Sequence, residues 1–331
     1  MTKICKKCVL PETFPGIRFN EEGICNYCLD SLGEKNLEEK KSRYRSRLDE
    51  LIAAHRGKSN YDAIMSYSGG KDSTFILALL KEEFGLNALA LTMDNGFLPE
   101  QTLTNIRAVV ERLEVDHILF KPRFDILRRA FVQGARKNIY PATTLTRAST
   151  ICTSCMTVVK FATLNLALEK SIPFIFFGWS PGQIPISSSI MKNNPEMLRS
   201  MQKAASEPLL KLLGNEVKPY FLEEKYFSDP YTFPYNISPF AFLDYDEREI
   251  IRKVKRLGWK PPRGVDANST NCLLNSYANI AHREQHGFHP YAFELAKLVR
   301  EKHLDRKTAL RKLNSKESLE TFRYVKKRLQ I

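Results

Sequence analysis

The apolar positions of this chain change period from segment to segment, and the changes mark its elements. Residues 61–66 are short and largely apolar, the pattern of a strand buried on both faces. Ser68, Gly69 and Gly70 break it, and from Lys71 the run through Asp72, Ser73 and TFILALLKEEF carries apolar positions at helical spacing. The rhythm then repeats. Residues 86–93 read as a second strand ending at Asp94-Asn95-Gly96, residues 100–113 as a helix, and residues 117–120 as a third strand. After the less regular residues 122–150 comes Cys152-Thr-Ser-Cys155, followed by the helical run MTVVKFATLNLALEK. Residues 172–177 form a further apolar strand that stops at a glycine-rich turn, Gly178 to Gln183. Strands alternating with helices predict right-handed crossovers and an α/β fold with a doubly wound, Rossmann-like parallel sheet.

Outside this rhythm the pattern changes. Residues 1–32 hold four cysteines, prolines and glycines, and predict a zinc ribbon. Residues 33–58 are rich in Lys, Glu and Arg with one thin apolar stripe, and predict a helical linker. The core domain is expected over 59–272, with a helical insertion at about 185–235 where the βα rhythm is lost. A helix over IIRKVKRLGW follows the carboxylates of Asp244 and Asp246, and a Pro-rich turn at 259–264 delivers Cys272. Residues 273–331 read as two or more amphipathic helices. His282, His286 and His289 fall there without a helical ligand pattern joined to a carboxylate, and read as structural or surface groups.

A length of 331 residues, 43% hydrophobic and 27% charged, suits a globular chain with a substantial core. No apolar run stands out as bilayer-spanning and the N-terminus is unlike a signal peptide, so a cytoplasmic protein with no membrane partner is expected. The net charge of +14 favours anionic partners, nucleic acid or phosphates, as readily as it describes a solvated basic surface.

The strand–turn–helix at Ser68-Gly69-Gly70-Lys71-Asp72-Ser73 is an anion nest. Glycines let the backbone approach, the N–H groups of the helix start point outward, Lys71 adds charge, and Ser68 and Ser73 add hydroxyls. It is not a Walker A loop, whose first Gly stands further from its Gly-Lys pair. The form SGGKDS resembles the PP-loop of the ATP pyrophosphatases, which cut ATP between the α and β phosphates. That resemblance implies ATP and Mg²⁺ as cofactors, with catalytic roles for Lys71 and Asp72. Ligands in open parallel sheets sit beyond the carboxyl ends of the strands, which puts Asp94 and Gly178 on the same rim. Asp94 there could hold a ribose or Mg²⁺, or simply form the Asp-Asn-Gly turn.

Seven cysteines in a reducing compartment point to metal or catalysis rather than disulfides. Cys5, Cys8, Cys25 and Cys28 form two CxxC pairs at zinc-ribbon separation, a closed Zn²⁺ set. Cys152, Cys155 and Cys272 remain. Three thiolates suit a [4Fe–4S] cluster with one open iron; a persulfide relay comes second and buried structural cysteines third. The trio resembles that of the iron–sulfur PP-loop tRNA thiolases. The first third, from CKKCVLPETFPGIRFNEEGICNYC to NYDAIMSYSGGKDSTF, is similar to the N-acetyl sugar amidotransferases of surface-polysaccharide biosynthesis. The first resemblance implies sulfur transfer to a tRNA base or small amide. The second implies a nucleotide-sugar acceptor and ammonia from a glutaminase–synthase partner pair. Both imply adenylation of a carbonyl or amide oxygen. A nucleotide-binding regulatory protein is a third expectation, against which the intact Lys71-Asp72 pair argues.

Overall fold

The computed structural model describes residues 3–31, 36–228 and 233–331. The expected border between ribbon and linker, at 32/33, lies outside the described residues. Near the N-terminus stand α1 (Asn26–Asp30) and α2 (Leu37–His55). The alternating region runs β1 (Ala63–Ser66), α3 (Lys71–Glu82), β2 (Ala88–Met93), α4 (Glu100–Arg112), β3 (Asp116–Phe120), α5 (Phe124–Arg136), α6 (Ala142–Leu145), α7 (Thr150–Glu169) and β4 (Phe174–Phe177). It continues with β5 (Ile190–Lys192), α8 (Pro195–Leu213), α9 (Lys225–Ser228) and β6 (Tyr235–Ile237). The chain closes with α10 (Glu247–Arg256), α11 (Leu274–His286), α12 (Ala292–Arg300), α13 (Arg306–Leu313) and α14 (Leu319–Leu329).

Among the described residues six strands form one sheet in the order β3-β2-β1-β4-β6-β5. The first five are parallel to their neighbours and β5 runs antiparallel on the edge against β6. The fold is thus the α/β doubly wound sheet that the strand–helix rhythm predicts, with a four-cysteine cluster before it and helices after it. Successive residues of β1 face opposite layers, as the pleat requires. Ala63 and Met65 enter one buried cluster, with α3 and α10, while Ile64 enters the other, with α5, α7 and α8. The residues at 185–235 hold β5, the long α8 and α9.

Helix α7 is long and apolar enough to cross a bilayer, which departs from the expectation that no run is. Its physical role is different. Phe161, Leu164 and Leu168 are buried between the sheet and α5, so its apolarity serves the core.

Candidate active site

Strands β1 and β4 lie side by side, and the sheet order changes direction between them. Their carboxyl ends open the crevice where such sheets bind ligands. The loop leaving β1 turns at Gly69, whose φ of 73° and position leave no room for a side chain. A Cβ there would stand 2.7 Å from Ile106 Cγ1. Helix α3 starts immediately, with Gly70 as a cap that offers no side-chain acceptor, so the positive end of its dipole lies at the crevice. Ser73 Oγ donates to the Gly70 carbonyl at 3.1 Å and lies 3.0 Å from Ser68 Oγ. Gly178, at the end of β4, closes the other side. A Cβ there would stand 2.7 Å from Ser73 N, so only glycine lets the two loops touch.

A later segment braces the nest. Trp259 Nε1 donates to the Gly69 carbonyl at 3.0 Å, Thr270 Oγ1 accepts the Lys71 N–H at 3.1 Å, and Asn271 Nδ2 donates to the Ser68 carbonyl at 3.2 Å. None of these three carried a chemical signal in the sequence.

The resulting cavity holds about 280 Å³. Its wall includes Ser68, Gly70, Asp72, Ser73 and Gly178, and also Cys152, Cys155 and Cys272. Lys71 is placed differently. Its ammonium lies 2.6 Å from Asp72 Oδ2, 3.4 Å from Glu247 Oε1 and 3.3 Å from Tyr245 Oη, in a smaller neighbouring cavity. Burial opposes its charge, but Asp72, Tyr245 and Glu247 together hold it well above the usual lysine range. Asp72, Asn268 and Glu294 line both cavities. Burial pushes Glu294 up to about 7, while Ser180 Oγ donates to it at 2.6 Å.

Asp94 also takes a turn-forming place. Its Oδ1 accepts the Gly96 N–H at 2.8 Å and its Oδ2 pairs with Lys121 at 3.1 Å. The next residue, Asn95, faces the cavity instead. Its Nδ2 donates to both Cys155 Sγ and Cys272 Sγ at 3.4 Å, so one amide joins the two thiols. Asn275 Nδ2 reaches Cys152 Sγ at 3.5 Å. Cys152 and Cys155 sit in the first turns of α7, which Ser149 caps by accepting the Cys152 N–H. The loop before α11 brings Cys272 back to them. Burial raises all three thiols, Cys152 to about 11, so they are protonated at neutral pH unless a cation replaces the proton. Three thiols with amide donors around them on one cavity wall fit a multi-iron group.

The N-terminal cysteines are spaced for a single ion. Cys5, Cys8, Cys25 and Cys28 are fully buried and their sulfurs lie within 4.8 Å of one another. The closest pairs, Cys5–Cys28 at 3.9 Å and Cys8–Cys25 at 3.7 Å, match the ~3.8 Å sulfur separation of a tetrahedron with metal–sulfur bonds of about 2.3 Å. The hydrogen bond between Cys28 and Cys8 lowers Cys8 and raises Cys28, and burial raises Cys25, so the four thiols share protons unevenly. Arg306 donates to the Cys5 and Cys8 carbonyls, and Phe14 packs on Phe288 and Phe293, which ties this module to the C-terminal helices.

Residues 62–183 match the family model described as the phosphoadenosine phosphosulfate reductase domain. An uncharacterised protein of Methanocaldococcus jannaschii is 24% identical over 299 residues, covering 89% of this chain and 87% of its own length. Solved structures also align, three of them as follows. The U34-tRNA thiolase of Methanococcus maripaludis with its [4Fe–4S] cluster is 16% identical, covering 100% of this chain and 99% of its own, with a TM-score of 0.36. The NMN synthetase of Francisella tularensis is 12% identical, covering 90% and 98%, at 0.38. The ammonia-dependent NAD synthetase of Campylobacter jejuni is 11% identical, covering 86% and 100%, at 0.37.

Proposed function

We propose that this chain, whose residues 62–183 are a phosphoadenosine phosphosulfate reductase-like domain of the adenine nucleotide alpha hydrolase type, adenylates a carbonyl or amide oxygen with ATP and replaces that oxygen with sulfur. The observation that carries the reading is the convergence of Cys152, Cys155 and Cys272 on the wall of the cavity built by the Ser68–Ser73 loop. An ammonia-using enzyme has no need of thiols there.

The triphosphate lies against the N-terminus of α3, with Ser68, Gly69, Gly70 and Ser73 supplying donors to the β and γ phosphates. Asp72, on the wall of both cavities and oriented by Lys71, would hold an Mg²⁺ arriving with ATP, which would supply positive charge to the phosphates. The acceptor oxygen bonds to the α phosphorus, the bond to the bridging oxygen breaks, and pyrophosphate leaves into the nest. A hydrosulfide-class sulfur then bonds to the activated carbon, the carbon–oxygen bond breaks, and AMP leaves with the oxygen. Cys152, Cys155 and Cys272 would hold a [4Fe–4S] cluster, which when bound offers an open iron to a sulfur ligand. Asn95 and Asn275 orient those thiols. The N-terminal four-cysteine set binds Zn²⁺ as a closed, structural site. The acceptor is a tRNA base or a small amide. The charge of +14 favours the former.

The test is product analysis with ATP, sulfide and anaerobically prepared protein. AMP and pyrophosphate should form, and Cys272→Ala should still bind ATP while failing to incorporate sulfur. Formation of ADP and phosphate would contradict the loop assignment. Full turnover of the Cys272→Ala protein with ammonia would replace the sulfur reading with the amidotransferase.

A further inference from the structure

Away from the crevice, three loops bring together a donor set that no part of the function above uses. Asp266 comes from the segment between α10 and α11, His289 from the turn between α11 and α12, and Glu317 from the turn between α13 and α14. One ligand atom from each lies within 4.8 Å of the others. Asp266 is only 4% exposed and His289 7%. Oδ1 of Asp266 accepts from Asn268 N and Nδ2, while its Oδ2 is buried with no hydrogen-bond partner. Glu317 is part-buried; its Oε1 has no hydrogen-bond partner but forms an ion pair with Arg283 at 3.6 Å, and Ser276 supplies the carboxylate with a hydrogen bond.

A buried and a part-buried carboxylate, each with one oxygen lacking a hydrogen-bond partner, share one small space with an imidazole. Oxygen and imidazole donors in a set of this size suit a divalent ion of the Mn²⁺ or Zn²⁺ kind. We propose that Asp266, His289 and Glu317 bind one such divalent cation. The ion staples the loop that carries Thr270, Asn271 and Cys272 to the C-terminal helices. It therefore steadies the segment that braces the Ser68–Ser73 nest. His289 Nδ1 accepts the Tyr291 N–H at 3.2 Å. An ion on Nδ1 takes the place of that long bond, and an ion on Nε2 makes the ring switch tautomer and release it. Loading therefore breaks this bond by either route.

Mn²⁺ tests the site, because thiolate sites bind it poorly and it reports its own ligands. Nucleotide-free, full-length protein is titrated with Mn²⁺ and followed by electron paramagnetic resonance. One bound Mn²⁺ per chain is expected, with an imidazole nitrogen coupling in the electron spin echo. Asp266→Asn combined with Glu317→Gln should abolish that binding and leave the metal of the four N-terminal cysteines in place. Absence of bound Mn²⁺ in the unsubstituted protein at millimolar ion, or bound ion without nitrogen coupling, overturns the proposal. That arm needs no variant, so a misfolded double variant does not protect the idea. Metal content is read without ATP or sulfur turnover, so failure here leaves the proposed activity standing, and the reverse also holds.

Discussion

Lys71 illustrates how far a residue's chemistry can be read before its surroundings are known. Its charge beside a glycine turn was legible from SGGKDS alone. That Asp72 and Glu247 would grip the ammonium was not, because Glu247 is distant in sequence and its partner is set by the docking of α10 on α3. Lys71→Ala therefore does two things. It should stop pyrophosphate release, and it should leave the part-buried Asp72 without its cation while Glu247 keeps Lys312, at a cost of about 2 kcal/mol in stability. Product assays and denaturant melts separate the effects. The choice between Asp94 and Asn95 was similarly hidden, since only the register of β2 decides which of two adjacent residues points into the crevice.

Glu294 gives a pH prediction. Its carboxyl is raised from 4.5 to about 7 in the folded protein, mainly by burial. Between those values the native state holds a proton that the unfolded chain has lost. Its share of stability is thus full below about 4.5, declines as pH rises to about 7, and is level above. Other titrating groups act in the same range, so the comparison is with a variant. Melting temperatures across this range should fall less steeply for Glu294→Gln than for the unsubstituted protein. Parallel curves would remove Glu294 from the account.

At the scale of elements, the apolar runs and the helical spacing located β1 to β4 and the helices α3 and α4 to within about two residues, and the body of α7 but not its first turns. What they could not give was β5, a three-residue edge strand paired antiparallel to β6, since so short a run carries no periodicity of its own. Nor could they show that the turn after β4 presses on the first turn of α3. That contact makes Gly178→Ala informative. The added methyl meets Ser73 N and Cα at 2.7 and 2.8 Å, backbone atoms that cannot swing away. Overpacking of this kind costs roughly 1–3 kcal/mol, so ATP affinity should fall ~10-fold or more in calorimetric titration, with the fold retained. Unchanged affinity would mean that the nucleotide does not use this rim.

For the whole molecule, the four N-terminal cysteines were recognisable from spacing because both CxxC pairs lie close in the chain. The Asp266, His289 and Glu317 set was not, because its members come from three separate loops. The N-terminal module is also less independent than a linker-tethered ribbon would be, since Arg306 and the Phe14 contacts seat it on α12 and α13. Cys25→Ser should release about one zinc per chain and lower the melting temperature of the whole protein, where a detached ribbon would leave the core unaffected. The net charge of +14 gives the acceptor question a test at the same scale. Binding of tRNA should weaken steeply with salt, and a small-amide acceptor should show no such slope.

The central claim is that the three cysteines facing the ATP loop carry iron rather than pack as inert thiols. The most direct measurement is the iron and sulfide content of protein purified without oxygen. About four irons and a brown visible absorption per chain are expected in the unsubstituted protein. Both should be lost in Cys152→Ala, Cys155→Ala and Cys272→Ala but kept in Cys5→Ala. Colourless, iron-free protein after reconstitution with iron and sulfide would contradict it.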